Sequence, residues 1–251
     1  MKQATPYSIR QQIRKGEFQQ NTSGFAPGYV QCNLVVLPKK YASDFHEFCQ
    51  LNSQSCPLIA SSDTPGDFSL KVLGDDIDIR SDIPLYRIYK NGILEEEVNN
   101  INDIWDDDFV AFLLGCSFSF EEALIDSGVE VRNISESKNV PMYKTNIDTQ
   151  GVEKFTGKMV VSMRPLKPKD VDRAIEVCNQ YPKVHGAPVH VGSPSDIGIS
   201  DITQPDFGEA VTINAGELPV FWACGVTPQL AIANAKQSIC ITHSHGYMLI
   251  T

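Results

Sequence analysis

The sequence predicts an α+β fold, with mixed sheets and helices packed on them, in one domain over residues 1–251 that can divide into two intimate lobes of about 1–150 and 151–251. Three observations carry this expectation. Residues 30–37 and 158–163 are β-rich, and each runs into a Pro/Lys turn and then an amphipathic helical pattern. Residues 84–97 read as a hairpin around Asn91-Gly92, the strongest short hairpin signal. The apolar, aromatic run ending at Trp222-Ala223-Cys224-Gly225 stops where Thr227-Pro228 opens another helix. Strands thus occur both in hairpins and beside helices, which favours mixed α+β over a regular βαβ alternation.

In chain order, Thr5 reads as a helix cap with Pro6 at the first helical position, and Tyr7, Ile9, Ile13 and Phe18 supply the bulky residues. Gly16 and the polar tract 19–24 end that helix. The strand at 30–37 passes through Pro38-Lys39-Lys40 into a helix carrying Ala42, Phe45, Phe48 and Cys49. Asp103, Asp106, Asp107 and Asp108 read as the negative first turn of a helix ending near Leu114. Ser119 and Glu122 have capping-box spacing ahead of Ala123, Leu124 and Ile125. The strand at 158–163 leads through 165–169 to a helix marked by Val171, Ala174, Ile175 and Cys178. Thr227 and Pro228 combine a cap with a proline at the first helical position. A Cys-bearing turn follows each strand–helix unit, so 30–125 and 158–251 read as a diverged internal duplication, although no strict period accompanies it.

Composition excludes several classes. Hydrophobic residues at 42% and charged residues at 21% of 251 describe a globular chain with ample core. A net charge of −10, without a basic run interleaved with aromatics, excludes a nucleic-acid platform. An acidic small-molecule substrate must then be captured by local cations and helix ends against the global field. No apolar run approaches the ~20 residues of a membrane span, and Met1 to Pro6 lack a signal-peptide core. Seven scattered cysteines without a Cys-x-x-Cys pair fit free thiols in a cytoplasm. Homo-oligomerisation is left open.

The candidate site residues fall in four groups. Cys116 with Ser117 and Ser119, and Trp222 and Cys224 with Gly225 and Thr227, form two turns that each feed a helix N-terminus. Unpaired backbone N–H groups there make anion sites, and two such turns suit a ligand with two acidic groups. Either cysteine also reads as a small buried residue in a tight turn, and no Gly-x-Ser-x-Gly elbow makes the serines nucleophiles. Arg80, Arg87 and Arg164 can grip a carboxylate bidentately, or pair structurally with Asp78 or Asp82. His185, His190, His243 and His245 raise a metal site, but Cys-x-x-Cys and His-Glu-x-x-His spacings are missing, so neither metal nor cofactor is expected. A histidine acting as general acid or base is the favoured use of this set. Asp206 and Glu217, with Asp201 and Glu209 nearby in sequence, can tune an imidazole or serve as solvated loop charges.

These segments together resemble the D-glutamate cyclase family over nearly the whole chain. The resemblance rests on residues 78–84 with Tyr86-Arg87, on 115–121, on Asn139-Val140-Pro141-Met142-Tyr143-Lys144-Thr145-Asn146, and on 159–165. It continues through His185-Gly186-Ala187-Pro188-Val189-His190, Pro205-Asp206-Phe207-Gly208 and the Trp222 run. The ending departs from the family pattern Thr-His-x-Pro-Gly-His-Met: here it is Thr242-His243-Ser244-His245-Gly246-Tyr247-Met248. That leaves His243 as the candidate of this motif and makes His245 a weak one. The resemblance implies cyclisation of D-glutamate to 5-oxo-D-proline with loss of water. On that reading the base is among His185, His190, Asp206 and Glu217, the Cys-Gly turns stabilise an oxyanion, and Arg164 or Arg80 anchors the α-carboxylate. Another lyase or amide-forming enzyme on a related dicarboxylate, or a non-catalytic binder of an acidic metabolite, remain the alternatives.

Overall fold

The computed structural model describes residues 4–251, and every strand pairing in it is antiparallel. The first half contains α1 (Pro6–Arg14), β1 (Gln31–Pro38), α2 (Ala42–Leu51), β2 (Leu58–Ser61), β3 (Tyr86–Lys90), β4 (Ile93–Val98), β5 (Phe109–Gly115), α3 (Phe118–Asp126) and α4 (Arg132–Ser135). The second contains β6 (Met142–Asp148), β7 (Lys158–Leu166), α5 (Pro168–Asn179), β8 (His190–Val191), β9 (Leu218–Ala223), α6 (Thr227–Ala235), β10 (Cys240–His243) and β11 (Leu249–Ile250). Helices and two sheets make this an α+β fold. One sheet runs β2-β5-β1-β10-β3-β4, with β11 also on β1, and the other runs β6-β7-β9-β8. The chain therefore returns at its end to complete the sheet it began. Among the described residues no helix is long and apolar enough to cross a membrane.

The centre of the first sheet is made by β1 and β5, whose residues are buried throughout and pair from Cys32 with Gly115 to Pro38 with Phe109. This corrects the helix expected to end near Leu114. Phe109-Val-Ala-Phe-Leu-Leu-Gly has no polar face to turn to water, and an uninterrupted apolar run satisfies a strand covered on both sides better than a surface helix. The acidic residues before it occupy turns, where the Asp106 carboxylate accepts from the Asp108 amide at 2.8 Å. One face of the sheet is covered by α2 and α6: Phe45 meets Phe112 edge-on at 5.0 Å and Phe155 at 5.3 Å. Tyr86, Ile79, Ile83 and Leu34 fill the other face. Trp222, Leu166 and Val220 pack the second sheet against α3 and α5.

Local signals resolve in different ways. Thr5 caps α1, its hydroxyl accepting from the Ser8 amide at 3.2 Å. Asn91 and Gly92 both have positive φ, +50° and +80°, as a two-residue primed turn requires. The other two expected caps are corrected. Thr227 does not cap α6; its hydroxyl accepts from the Val160 amide at 3.0 Å and ties the helix to β7. Ser119 accepts from the Gln31 amide at 2.9 Å instead of closing a capping box. Both hydroxyls serve tertiary links because both helices start inside the protein, where a strand amide also needs a partner.

The two halves share an order: strand, helix, a strand antiparallel to the first, a Cys-bearing turn, helix. In one half this is β1, α2, β5 and α3; in the other it is β7, α5, β9 and α6. At the first of these turns, a Cβ on Gly115 would lie 2.0 Å from the Lys183 carbonyl oxygen and 2.8 Å from Val184. Gly115→Ala is therefore expected to lower stability by about 1–3 kcal/mol through overpacking. The readout is the urea midpoint; a midpoint equal to wild type would mean that residues 183–184 separate from β5 without cost.

Candidate active site

The two Cys turns meet where the sheets adjoin. Asn33, buried on β1, donates to the Gly115 carbonyl at 2.9 Å. The same carboxamide packs so tightly on the second turn that a Cβ at Gly225 would sit 2.2 Å from its nitrogen. Cys116 and Cys224 share an apolar cluster with Met142, Val160 and Met248. The Phe118 and Val226 amides face the sulfur of Cys116 and Cys224 respectively. Burial pushes both thiols up, Cys224 to about 11 and Cys116 further, so both are protonated at neutral pH. The turns come together as expected, but as a packed floor whose helix-end amides are turned to sulfur.

Behind this floor lies a buried polar group. Arg164, fully buried on β7, donates to Glu121 at 2.7 Å, Ser117 at 3.2 Å and Ser162 at 3.3 Å. Glu121 also accepts from Ser23 at 2.9 Å and Asn133 at 3.3 Å. The guanidinium carbon is 5.4 Å from the ring centres of both Phe120 and Trp222. These bonds commit Arg164, Ser117 and Trp222 to holding α3 on β7.

His185 is buried in a left-handed conformation, φ +87°, and its Nδ1–H donates to the Gln54 carbonyl at 2.8 Å. Burial lowers its pKa to about 4, and does the same for His243, whose Nδ1 lies 3.1 Å from the Leu34 amide. Each folded value lies below the ordinary 6.5, so unfolding takes up a proton between them. This stability is fully present above about pH 6.5 and is lost as pH falls toward 4, by about 3 kcal/mol for each ring. The expected result is a urea midpoint that declines over that window and a shallower decline in His185→Gln. Equal slopes in the two proteins would contradict it.

Three other candidates lie in separate surroundings. His190 is on β8, at the opposite edge of its sheet from β6, and its Nε2 donates to the Ser193 carbonyl at 2.8 Å. Glu217 accepts from Arg132 at 2.7 Å; burial alone would raise its carboxyl, but Arg132 and Asn214 more than offset that. Arg80 is held by Asp78 at 2.8 and 2.9 Å and stacks over Phe68 at 3.3 Å.

A cleft of about 700 Å³ opens between the β3–β4 hairpin and the 206–209 loop. Its wall residue Phe207 exchanges backbone hydrogen bonds with Met142 and packs on the cluster holding both cysteines. Arg87 projects into the cleft from β3, donating from Nε to Glu97 at 2.7 Å and placing Nη1 against the His245 ring, 2.9 Å from Nδ1 and 3.5 Å from Nε2. The Arg87 hydrogen bond is the main reason the Glu97 carboxyl lies below its ordinary range. Burial first, then Arg87 and His243, lower His245 to about 3. Asp206 accepts from the Lys144 amide at 2.8 Å, and its carboxylate lies 3.5 Å from Lys144 Nζ. Glu209 accepts from the Asn139 amide at 3.0 Å, and Asn139 donates to the His245 carbonyl at 3.1 Å.

Of the residues singled out in the sequence, the cleft gathers Arg87, Asp206, Glu209 and His245; the Cys turns do not line it and touch it only through Phe207, and His243 is linked to it through Gln229. It adds Glu97. Positions 245 and 247, where the chain departs from the family pattern, both line it. The available signal was Tyr86-Arg87: strand alternation buries Tyr86 and turns Arg87 outward.

The sequence profile of the D-glutamate cyclase family matches residues 110–251. A protein of Verminephrobacter eiseniae named "Putative hydro-lyase" is 58% identical over 242 residues, covering 96% of this chain and 88% of its own. Similarly named proteins of Bordetella petrii, 54% identical over 98% of this chain and 93% of theirs, and Aliivibrio salmonicida, 55% identical over 97% and 93%, match end to end. A solved nitrogen repressor-like protein from Methanococcus jannaschii aligns over 98% of this chain and 97% of its own at 10% identity and TM-score 0.41, too distant to bear on fold or function. By its profile match and its full-length relatives, the chain belongs to the D-glutamate cyclase family.

Proposed function

We propose that the protein is a hydro-lyase that cyclises D-glutamate to 5-oxo-D-proline with loss of water, and that the cleft around Arg87 is its active site. Family membership supports the reaction class. The observation that carries the substrate reading is the mixed sign of the cleft, with Arg87 on one wall and Asp206 and Glu209 on the other. A plain dicarboxylate would face those carboxylates, of which Asp206 has a cation beside it, Lys144 at 3.5 Å, and Glu209 has none in the cleft wall. An amino acid has an ammonium for them and a carboxylate for Arg87. Cyclisation joins the amine to the γ-carboxyl carbon as a C–O bond breaks, and the two protons shed by the ammonium leave on the departing oxygen as water. Holding the ammonium and a carboxylate of the substrate favours the folded geometry that brings the amine and the γ-carboxyl carbon together. Seven buried free thiols support a reducing, cytoplasmic setting.

The test pairs Asp206→Asn with wild type, measuring D-glutamate conversion beside calorimetric binding of glutarate, which has both carboxylates and no amine. The variant is expected to bind glutarate at least as tightly as wild type, having lost a like charge, and to lose about tenfold or more in kcat/KM, as fits one charge-assisted contact. Unchanged conversion would remove Asp206 from the site.

A further inference from the structure

The Arg87 cleft has a neighbour, a recess of about 250 Å³ that shares Asn21 with it. The segment carrying Asn21 is pinned: the Thr22 amide donates to the Gly246 carbonyl at 2.8 Å, and the Thr22 hydroxyl accepts from the Met248 amide at 3.0 Å. Asn21 Oδ1 accepts from the Ser23 amide at 3.2 Å, which leaves Nδ2 without a protein partner among the described residues. The recess differs from the cleft in charge. Gln20, Asn133 and Ser137 give it amides and a hydroxyl, and no carboxylate is among its lining residues. Its one cation, Lys138, is already held by Glu136 at 2.8 Å and the Ala210 carbonyl at 2.9 Å. Asn133 is 1% exposed, and its Nδ2 donates to Ser23 and Glu121 at 3.3 Å each. Oδ1, the other arm of that carboxamide, has no hydrogen-bond partner, so the wall includes a buried acceptor in want of an N–H.

We propose that the protein also cyclises γ-amides of D-glutamate, with the amino-acid head in the Arg87 cleft, the neutral amide substituent in the recess, and an amine as the leaving group. The inference rests on the reading of the cleft as an amino-acid site. Ring closure needs a free α-amine and Arg87 needs a carboxylate, so a longer substrate that keeps both is extended at the γ-carboxyl. Spaces of about 300–1,000 Å³ hold drug-sized ligands, and the cleft with its recess falls in that range. The amide supplies the N–H that the recess wall lacks, and a neutral carbonyl does not carry the charge that opposes attack on a carboxylate. In the reaction the α-nitrogen bonds to the γ-carbonyl carbon as the C–N bond of the amide breaks. The two protons shed by the ammonium go to the departing nitrogen, which leaves as an ammonium; nothing is oxidised or reduced. Contacts in the recess lie away from the reacting atoms, and their binding energy serves to hold the head folded for closure.

The experiment compares γ-D-glutamyl ethanolamide with D-glutamate, measuring 5-oxoproline and released ethanolamine by chromatography. The expected result is equal amounts of the two products from the amide, with a kcat/KM about tenfold or more above that for D-glutamate. γ-D-Glutamylglycine brings a carboxylate to a recess whose cation is already paired, and should be converted about fivefold less well than the ethanolamide. Gln20 is exposed and lines the recess but not the cleft, so Gln20→Trp fills the recess from its rim. That variant should lose about tenfold or more on the amide and convert D-glutamate as wild type does. Asn133→Leu, with its urea midpoint measured because Asn133 also supports Glu121, should show the same selectivity. An amide that is not converted, or is converted no better than D-glutamate, overturns the proposal and leaves the D-glutamate reading intact. So does an advantage that survives Gln20→Trp. Amide conversion undiminished in Arg87→Met overturns the reading of the cleft and the proposal with it. Product from the amide alone would support the proposal and replace water by an amine as the leaving group.

Discussion

Replacing Glu121 with leucine is expected to destabilise the protein by about 3–5 kcal/mol. Glu121 is 1% exposed and Arg164 is 0% exposed, so removing the carboxylate leaves a guanidinium that water cannot reach. The serines at 3.2 and 3.3 Å are neutral and do not replace the lost charge. Ser23 and Asn133 lose their acceptor as well, which loosens the chain near residue 23 and α4 together. The check is the urea midpoint of Glu121→Leu beside the double variant Glu121→Leu/Arg164→Met. The double variant should recover part of the loss, because an apolar pair leaves no buried charge behind. A single variant within 1 kcal/mol of wild type would show that Arg164 finds another partner.

The second large effect is on turnover. Arg87→Met is expected to reduce kcat/KM for D-glutamate by about 100-fold, the equivalent of one charge-assisted hydrogen-bonded anchor. The change should appear mainly in KM, because the variant loses the carboxylate's partner. Fold stability should barely move, since the guanidinium is partly exposed and its Glu97 pair sits at the surface. A kcat/KM within threefold of wild type would exclude Arg87 as the anchor. Arg80→Met gives the contrast: its guanidinium is engaged by Asp78 and Phe68, so conversion should be unaffected.

The α+β class was legible because its signals are local. Thr5-Pro6 and Asn91-Gly92 specify their backbone geometry whatever lies around them. The strand at Phe109–Gly115 was not, because a short apolar run is satisfied equally by a buried strand or a buried helix, and only its neighbours β1 and β2 decide. Thr227 and Ser119 were read as caps because local spacing cannot show that a strand amide will compete for the hydroxyl.

The site was legible in part for similar reasons. Asp206 and the two Cys turns stand out as motifs without showing what they meet, whereas the choice between Arg80 and Arg87 depends on pairing register. A regular hairpin about Asn91-Gly92 would set Glu96 opposite Arg87; a bulge beyond Ile88 puts Glu97 there instead, where it also accepts from Ser244 at 3.1 Å. His245 has only its place in the Thr242-to-Met248 motif as a local signal. Its position depends on Gln229, 16 residues earlier, and on Arg87, 158 residues earlier, which meet it only when β10 closes against β3.

The most direct measurement is chromatographic detection of 5-oxoproline after incubating the purified protein with D-glutamate, with L-glutamate and Arg87→Met as controls. The expected result is protein-dependent product from D-glutamate, little from L-glutamate, and a rate for Arg87→Met reduced about 100-fold at low substrate. No product from D-glutamate at high protein concentration would contradict the assignment, and product undiminished in Arg87→Met would move the site away from this cleft.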